Sequence, residues 1–228
     1  MKRKWLLVGT FLVTVISGCT NKTNDDAQIN ALKTKVEEQQ KVIHQLKQEN
    51  EKLTKKISEQ QMNKDVLHIA LDVVAALQAK DMSKVATYVH PEKGVRFSPY
   101  GHVNIDSDVV FKKNELPSLM ESDRIYHFGT FDGSGQAIDM TFRDYFQKFV
   151  YDVDFASPHM IGNNVVIGKG NTLENIHDVY PNAVFVEFHF TGFDKQANGM
   201  DWRSLRLVFE KQGDTWYLVG IVHDQWTI

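Results

Sequence analysis

The chain has 228 residues, 42 % of them hydrophobic, with 26 Lys+Arg against 29 Asp+Glu and a formal net charge of −3. From residue 65 onward the balance is 14 Lys+Arg against 22 Asp+Glu, a net −8, which argues against nucleic acid as a partner and against direct docking on anionic lipid headgroups. A single cysteine, Cys19, excludes an internal disulfide, so the fold must be held by packing.

The chain opens on a basic stretch, Met1-Lys2-Arg3-Lys4, followed by an uncharged, mostly apolar run over residues 5–16, then Ser17, Gly18 and Cys19. This is the layout of an export signal. The apolar run is shorter than the roughly 20 residues a spanning helix needs, and the basic end stays cytoplasmic. Ile16-Ser17-Gly18-Cys19 resembles the lipobox of bacterial lipoproteins. The resemblance implies that residues 1–18 are removed and that Cys19 becomes the lipidated first residue. Acyl chains hold a protein at a membrane because each buried CH₂ is worth roughly 0.8 kcal/mol. The partner implied is the membrane itself, reached from its extracytoplasmic face.

Residues 19–28 are small and polar after the cysteine and read as a tether. Residues 29–61 contain no Gly or Pro and are rich in Lys, Glu and Gln, which favour helix. Laid out in sevens, one seam holds Ile29, Val36, Ile43, Asn50 and Ile57, and its companion holds Leu32, Gln39, Leu46, Leu53 and Gln60. β-branched residues at a with Leu at d favour a parallel two-stranded coiled coil, and a lone Asn at a fixes register at a cost in stability. The spacing predicts a stalk over residues 29–63 that forms a homodimer, about 50 Å long over 33 residues. The alternative is a single amphipathic helix packed on the domain. The stripe is narrow and free of aromatics, which disfavours a helix lying in the membrane.

Residues 65–228 hold most of the aromatic residues and are long enough for one domain with its own core. Residues 65–80 carry an apolar face at Val66, Ile69, Ala70, Val73, Val74 and Leu77. A short helix is expected over 83–89, capped by Ser83 and ended before Pro91. A strand is expected over 94–97 and a helix over 141–151. Residues 183–191 alternate, with Val184, Val186, Phe188 and Phe190 on one side and Glu187 and His189 on the other. Residues 203–210 and 215–222 form two more strands about the turn Gln212-Gly213-Asp214. Early helices followed by tightly connected period-two strands predict an α+β domain with helices on one face of an antiparallel sheet.

Two resemblances follow. The run Ala75-Ala76-Leu77-Gln78-Ala79-Lys80-Asp81-Met82, with the closing strand pair, resembles nuclear-transport-factor-like cone folds. The runs 90–100, 149–155 and 216–226, from His90-Pro91-Glu92 to Asp224-Gln225-Trp226, resemble uncharacterised lipoproteins of Gram-positive bacteria such as bacilli. The second resemblance spans most of the domain and implies a shared fold and envelope location, without an activity.

No motif asks for a cofactor or a metal. Asp152 and Asp154 lie two apart and would share a face if the segment were a strand, as an acid/base pair requires. The remaining oxygen ligands of a calcium loop are missing. The segment Phe131-Asp132-Gly133-Ser134-Gly135-Gln136 lacks the Lys of a phosphate loop and reads as a turn. Of the domain histidines, His90, His102, His127, His159, His177, His189 and His223 form no spaced metal motif. Glu187 and His189 read as a surface pair, and His223-Asp224 reads as an orienting pair for a base. No Ser sits in a nucleophile elbow. Arg96, Tyr100, Tyr151, Trp216 and Trp226 are candidates for a ligand pocket with aromatic walls; the alternative places Trp216 and Tyr151 in the core. Two functions stay open: a non-catalytic binding or interaction module on a dimeric stalk, and an extracytoplasmic enzyme using Asp152, Asp154 and His223 in a cone-shaped pocket.

Overall fold

The computed structural model describes residues 22–227. Residues 1–21, on which the expected export signal, Cys19 and the start of the expected tether fall, lie outside them. The chain divides into two compact units that meet between Ile57 and Ser58.

Helix α1 runs over Lys22–Gln78. It therefore takes in residues 22–28, which composition assigns to a tether, and it does not pause at the expected stalk boundary near residue 63. The reason is local: no Gly or Pro occurs between Gly18 and Pro91, and adding residues to an established helix costs far less than nucleating one. In the first unit every described side chain from Asp25 to Ile57 is exposed, the whole apolar seam included. In the second unit Val66, Ala70, Val73, Val74 and Leu77 of α1 are buried. The helix ends in a left-handed turn. Lys80 has φ +56°, its N–H donates to Leu77 O at 2.9 Å, and Asp81 N–H donates back to Ala76 O at 2.9 Å, the Schellman pattern.

Helix α2, Met82–Tyr88, follows at once. Its cap is Asp81, which accepts the N–H of Lys84 at 2.8 Å; the expected cap, Ser83, is already inside the helix. Strand β1 spans Val95–Ser98 and β2 spans Val109–Phe111. A hairpin of β3, Ile125–Thr130, and β4, Ala137–Thr141, stands as a separate two-stranded sheet. The Gly-rich segment is its turn, closed by Phe131 N–H donating to Gln136 O at 2.7 Å. Helix α3, Phe142–Phe149, is capped by Thr141, whose hydroxyl accepts the N–H of Asp144. Then come β5, Met160–Asn163, the single turn α4, Ile176–Val179, and strands β6, Val184–Phe190, β7, Arg203–Gln212, and β8, Thr215–Gln225.

The fold is α+β, with a six-stranded mixed sheet in the order β2-β1-β8-β7-β6-β5. The pairings of β5 through β8 are antiparallel, as the tight turns require. Between β7 and β8 that turn is two residues long, and Gly213 adopts φ +61°, which a hairpin of this length demands. The parallel pair is β1 with β8; strands more than a hundred residues apart in the chain are free of the hairpin constraint.

Both sheet faces are covered. One face packs on α1, α2, α3 and the β3–β4 hairpin through an aromatic cluster. There Phe97 meets Phe142 edge-on at 5.2 Å, and Phe128 stacks on Tyr145 at 3.8 Å. Trp216 belongs to this core. The other face carries Phe185, Val208, Val219 and Val222 against Ile176 and Val103. A bulge where Val208 pairs Gly220 and Phe209 pairs Leu218 leaves Val219 unpaired. It puts Val219 and Gly220 on the same side, so Leu218 and Ile221 both stay in the aromatic core.

Candidate functional site

The second face of the sheet is where the charges sit. Period-two patterning places Glu187 and His189 outward, and the expectation of a surface pair is wrong, because the segment between β5 and β6 folds over that face. Glu187 and Arg206 have no exposed surface, and Asp224 is 3 % exposed. Arg206 donates through Nε to Glu187 Oε2 at 3.1 Å and through Nη1 to Asp224 Oδ2 at 2.8 Å. Its Nη2 reaches Gly168 O at 2.9 Å. Glu187 accepts the N–H groups of Ile167 and Gly168 at 2.9 and 2.8 Å, so the buried ion pair also holds down the covering segment. Burial works against the charge of Glu187, but Arg206, Ser204 and the Ile167 amide outweigh it and hold its carboxyl below the ordinary value. Ser204 donates to Glu187 Oε1 at 2.6 Å and so must accept from His189 Nδ1 at 2.8 Å, which fixes the tautomer of His189. Burial disfavours its imidazolium. Burial also raises Asp224 above its ordinary value, against the pull of Arg206. The sequence signal for this network was an Arg at the centre of a strand whose neighbours are apolar.

The acid/base candidates divide. His223 points into the aromatic side of the sheet, against Phe149, while Asp224 points to the opposite face, so the adjacent pair never meets. The partner of His223 is Asp152, with Nε2 3.2 Å from Oδ1. Arg203 donates to the same carboxylate at 2.9 Å. Burial alone would raise Asp152, yet His223 and Arg203 together hold it below the ordinary range. His223 is closed to solvent, and its Nδ1 is buried without a hydrogen-bond partner among the described residues. Asp154 turns elsewhere. It accepts Tyr151 Oη at 2.7 Å and Gln78 Nε2 at 2.8 Å. The two carboxylates therefore do not share a site. Asp152 instead lines a shallow depression with Asp144, Lys148, Arg203 and Gln225.

The pocket candidates also separate. Arg96 braces a loop: its Nη1 donates to Ile105 O and Asp108 O, and its Nε donates to Tyr180 Oη at 3.2 Å. Tyr151 is engaged with Asp154 and the N–H of Ala156. Trp226 is 39 % exposed and is not among the residues that line the cleft beside Tyr100. Tyr100 does line one, a cleft of about 350 Å³ between the loop over residues 99–108 and the β3–β4 hairpin. Its hydroxyl accepts the N–H of Asp132 at 3.1 Å, and its ring meets Phe149 edge-on. Sequence reasoning missed the acid beside it. Asp108 accepts Ser98 Oγ at 2.5 Å and the N–H of Asn104 at 2.9 Å, both on Oδ2. Burial pushes its carboxyl up to about 6, against the pull of Ser98, Asn104, Arg96 and His102.

Among the described residues no three His, Cys, Asp or Glu side chains come together as a metal ion would need, and no helix is long and apolar enough to cross a membrane. Compared with protein-family models, with curated proteins and with solved structures, the chain gives no match in any of the three.

Proposed function

We propose that this chain is an extracytoplasmic membrane lipoprotein, anchored through Cys19, whose residues 29–61 pair with a second copy and whose α+β domain binds a ligand or partner without catalysis. The observation that carries the reading is the exposed seam of α1: Ile29, Leu32, Val36, Ile43, Leu46, Leu53 and Ile57 are each 47–65 % exposed. A stripe of that length on one helix face is costly in water and is what a coiled-coil partner covers. A second copy is the fitting occupant, because the heptads place Asn50 at an a position where it meets its own counterpart. Acid/base chemistry has less behind it, since Asp154 faces away from Asp152 and His223 is closed to solvent.

Sedimentation of the exported chain with Cys19→Ser tests the pairing. A dimer at tens of micromolar that Leu46→Glu converts to monomer is the expected result; a monomer at that concentration overturns the stalk. Fractionation of cells expressing the full chain tests the anchor: Cys19→Ser should move the protein from the membrane to the soluble extracytoplasmic fraction.

A further inference from the structure

The cleft beside β1 has features that the packing of the domain does not require. Its lining includes Tyr100, Phe131, Asp108, Asp132 and His102, with the fully buried Phe128 bordering it, and none of its lining residues is Lys or Arg. At about 350 Å³ it falls in the size range of small-molecule sites. Asp108 keeps both of its protein hydrogen bonds on one oxygen, Oδ2. Directly behind the wall lies Tyr145, stacked on Phe128 at 3.8 Å and fully buried. Its hydroxyl has no hydrogen-bond partner among the described residues, and burial, followed by the charge of the cleft residue Asp108, disfavours its phenolate. A buried hydroxyl left unpaired costs about 1–3 kcal/mol. A tyrosine that gave only packing could be a phenylalanine here at no loss.

We propose that this cleft binds a small organic ammonium ion, with Asp108 as its counter-charge and the rings of Tyr100 and Phe131 as its apolar walls. Aromatic faces attract cations, and the attraction grows when the site is desolvated. The carboxylate supplies the charge that a neutral ligand of the same shape would not use. No Lys or Arg lines the cleft, and His102 is the lining side chain that can itself become cationic. Lys148 sits 4.8 Å over the ring of Phe131 but is not part of the lining.

This inference rests on the domain being a binding module, and it is tested separately from the stalk. The exported chain with Cys19→Ser is titrated by calorimetry with choline, with putrescine and with 3,3-dimethyl-1-butanol, the uncharged isostere of choline. The expected result is that at least one ammonium binds in the range up to about 10 mM, while the isostere binds at least about tenfold more weakly. Asp108→Asn should weaken the ammonium by about tenfold or more. Tyr145→Phe, which removes only the unpaired hydroxyl behind the wall, should fold at least as stably and bind the ammonium unchanged. Asp123→Asn, on the exposed pair with Arg143, should change nothing. A dimeric, folded chain that binds neither ammonium, or binds the isostere equally well, overturns the inference while leaving the stalk standing. So does unchanged affinity in Asp108→Asn.

Discussion

Replacing Arg206 by Met keeps the length of the side chain and removes its charge. In the folded domain this leaves Glu187, with no exposed surface, and Asp224, 3 % exposed, facing each other without a cation. Breaking a buried pair in this way costs about 3–5 kcal/mol, because the partner charge stays behind in a low-dielectric site. For a domain of this size that lowers Tm by about 6–20 °C. The triple variant Glu187→Gln, Arg206→Met, Asp224→Asn strands no charge and should recover most of the loss. The pH dependence checks the cause. Without Arg206 the folded carboxyls titrate above their unfolded values, so the penalty is present at neutral pH and fades as pH falls through the folded pKa values. Chemical denaturation at pH 7 and pH 4.5 measures both effects. If Arg206→Met loses less than about 1 kcal/mol, or if the triple variant is no better than the single one, the charges are not buried as a unit and the reasoning fails.

Other outcomes follow from the same geometry. Asp108 titrates near 6, so its ionisation opposes folding; stability should fall by up to about 3 kcal/mol as pH rises from about 4 to 6, and Asp108→Asn should flatten that limb of a urea-midpoint profile. Glu187 and Asp152 act in the opposite sense: their contribution is complete above the unfolded carboxylate range and is lost as pH falls through their lowered folded values. A methyl group at Gly168 would lie 2.5 Å from Ser204 Oγ and 2.7 Å from Trp202, so Gly168→Ala should destabilise by about 1–3 kcal/mol in thermal melts. Lys80 holds φ +56°, and Lys80→Gly should relieve about 1 kcal/mol there, raising Tm.

The heptad seam was legible because helix periodicity is a local property and because no Gly or Pro interrupts it. The helix boundaries were less so: nothing at residue 28 or 63 stops a helix, and propagation carries it on to Gln78. The alternating faces of β6 and β7 could be read by parity, since side chains of a strand must alternate. What parity cannot say is whether the second face meets water. Glu187 and His189 read as a surface pair, and only the covering segment of residues 164–175 turns them, with Arg206, into a buried network. The same limit applies to the candidate residues. Asp152 and Asp154 are neighbours in sequence, yet a bend sends one to His223 and the other to Tyr151 and Gln78. His223 and Asp224 are adjacent and face opposite sides of the sheet.

The sequence by itself determined the composition of each segment, the seam of α1 and the inward faces of the last strands, all of which depend on residues a few positions apart. The tertiary structure decided which side chains meet across long separations: Tyr100 with Asp132, Ser98 with Asp108, Tyr145 behind Phe128, and Arg206 between Glu187 and Asp224. Those encounters depend on strand order, on the β1–β8 parallel pair and on where loops fold back, which pairwise spacing along the chain does not encode.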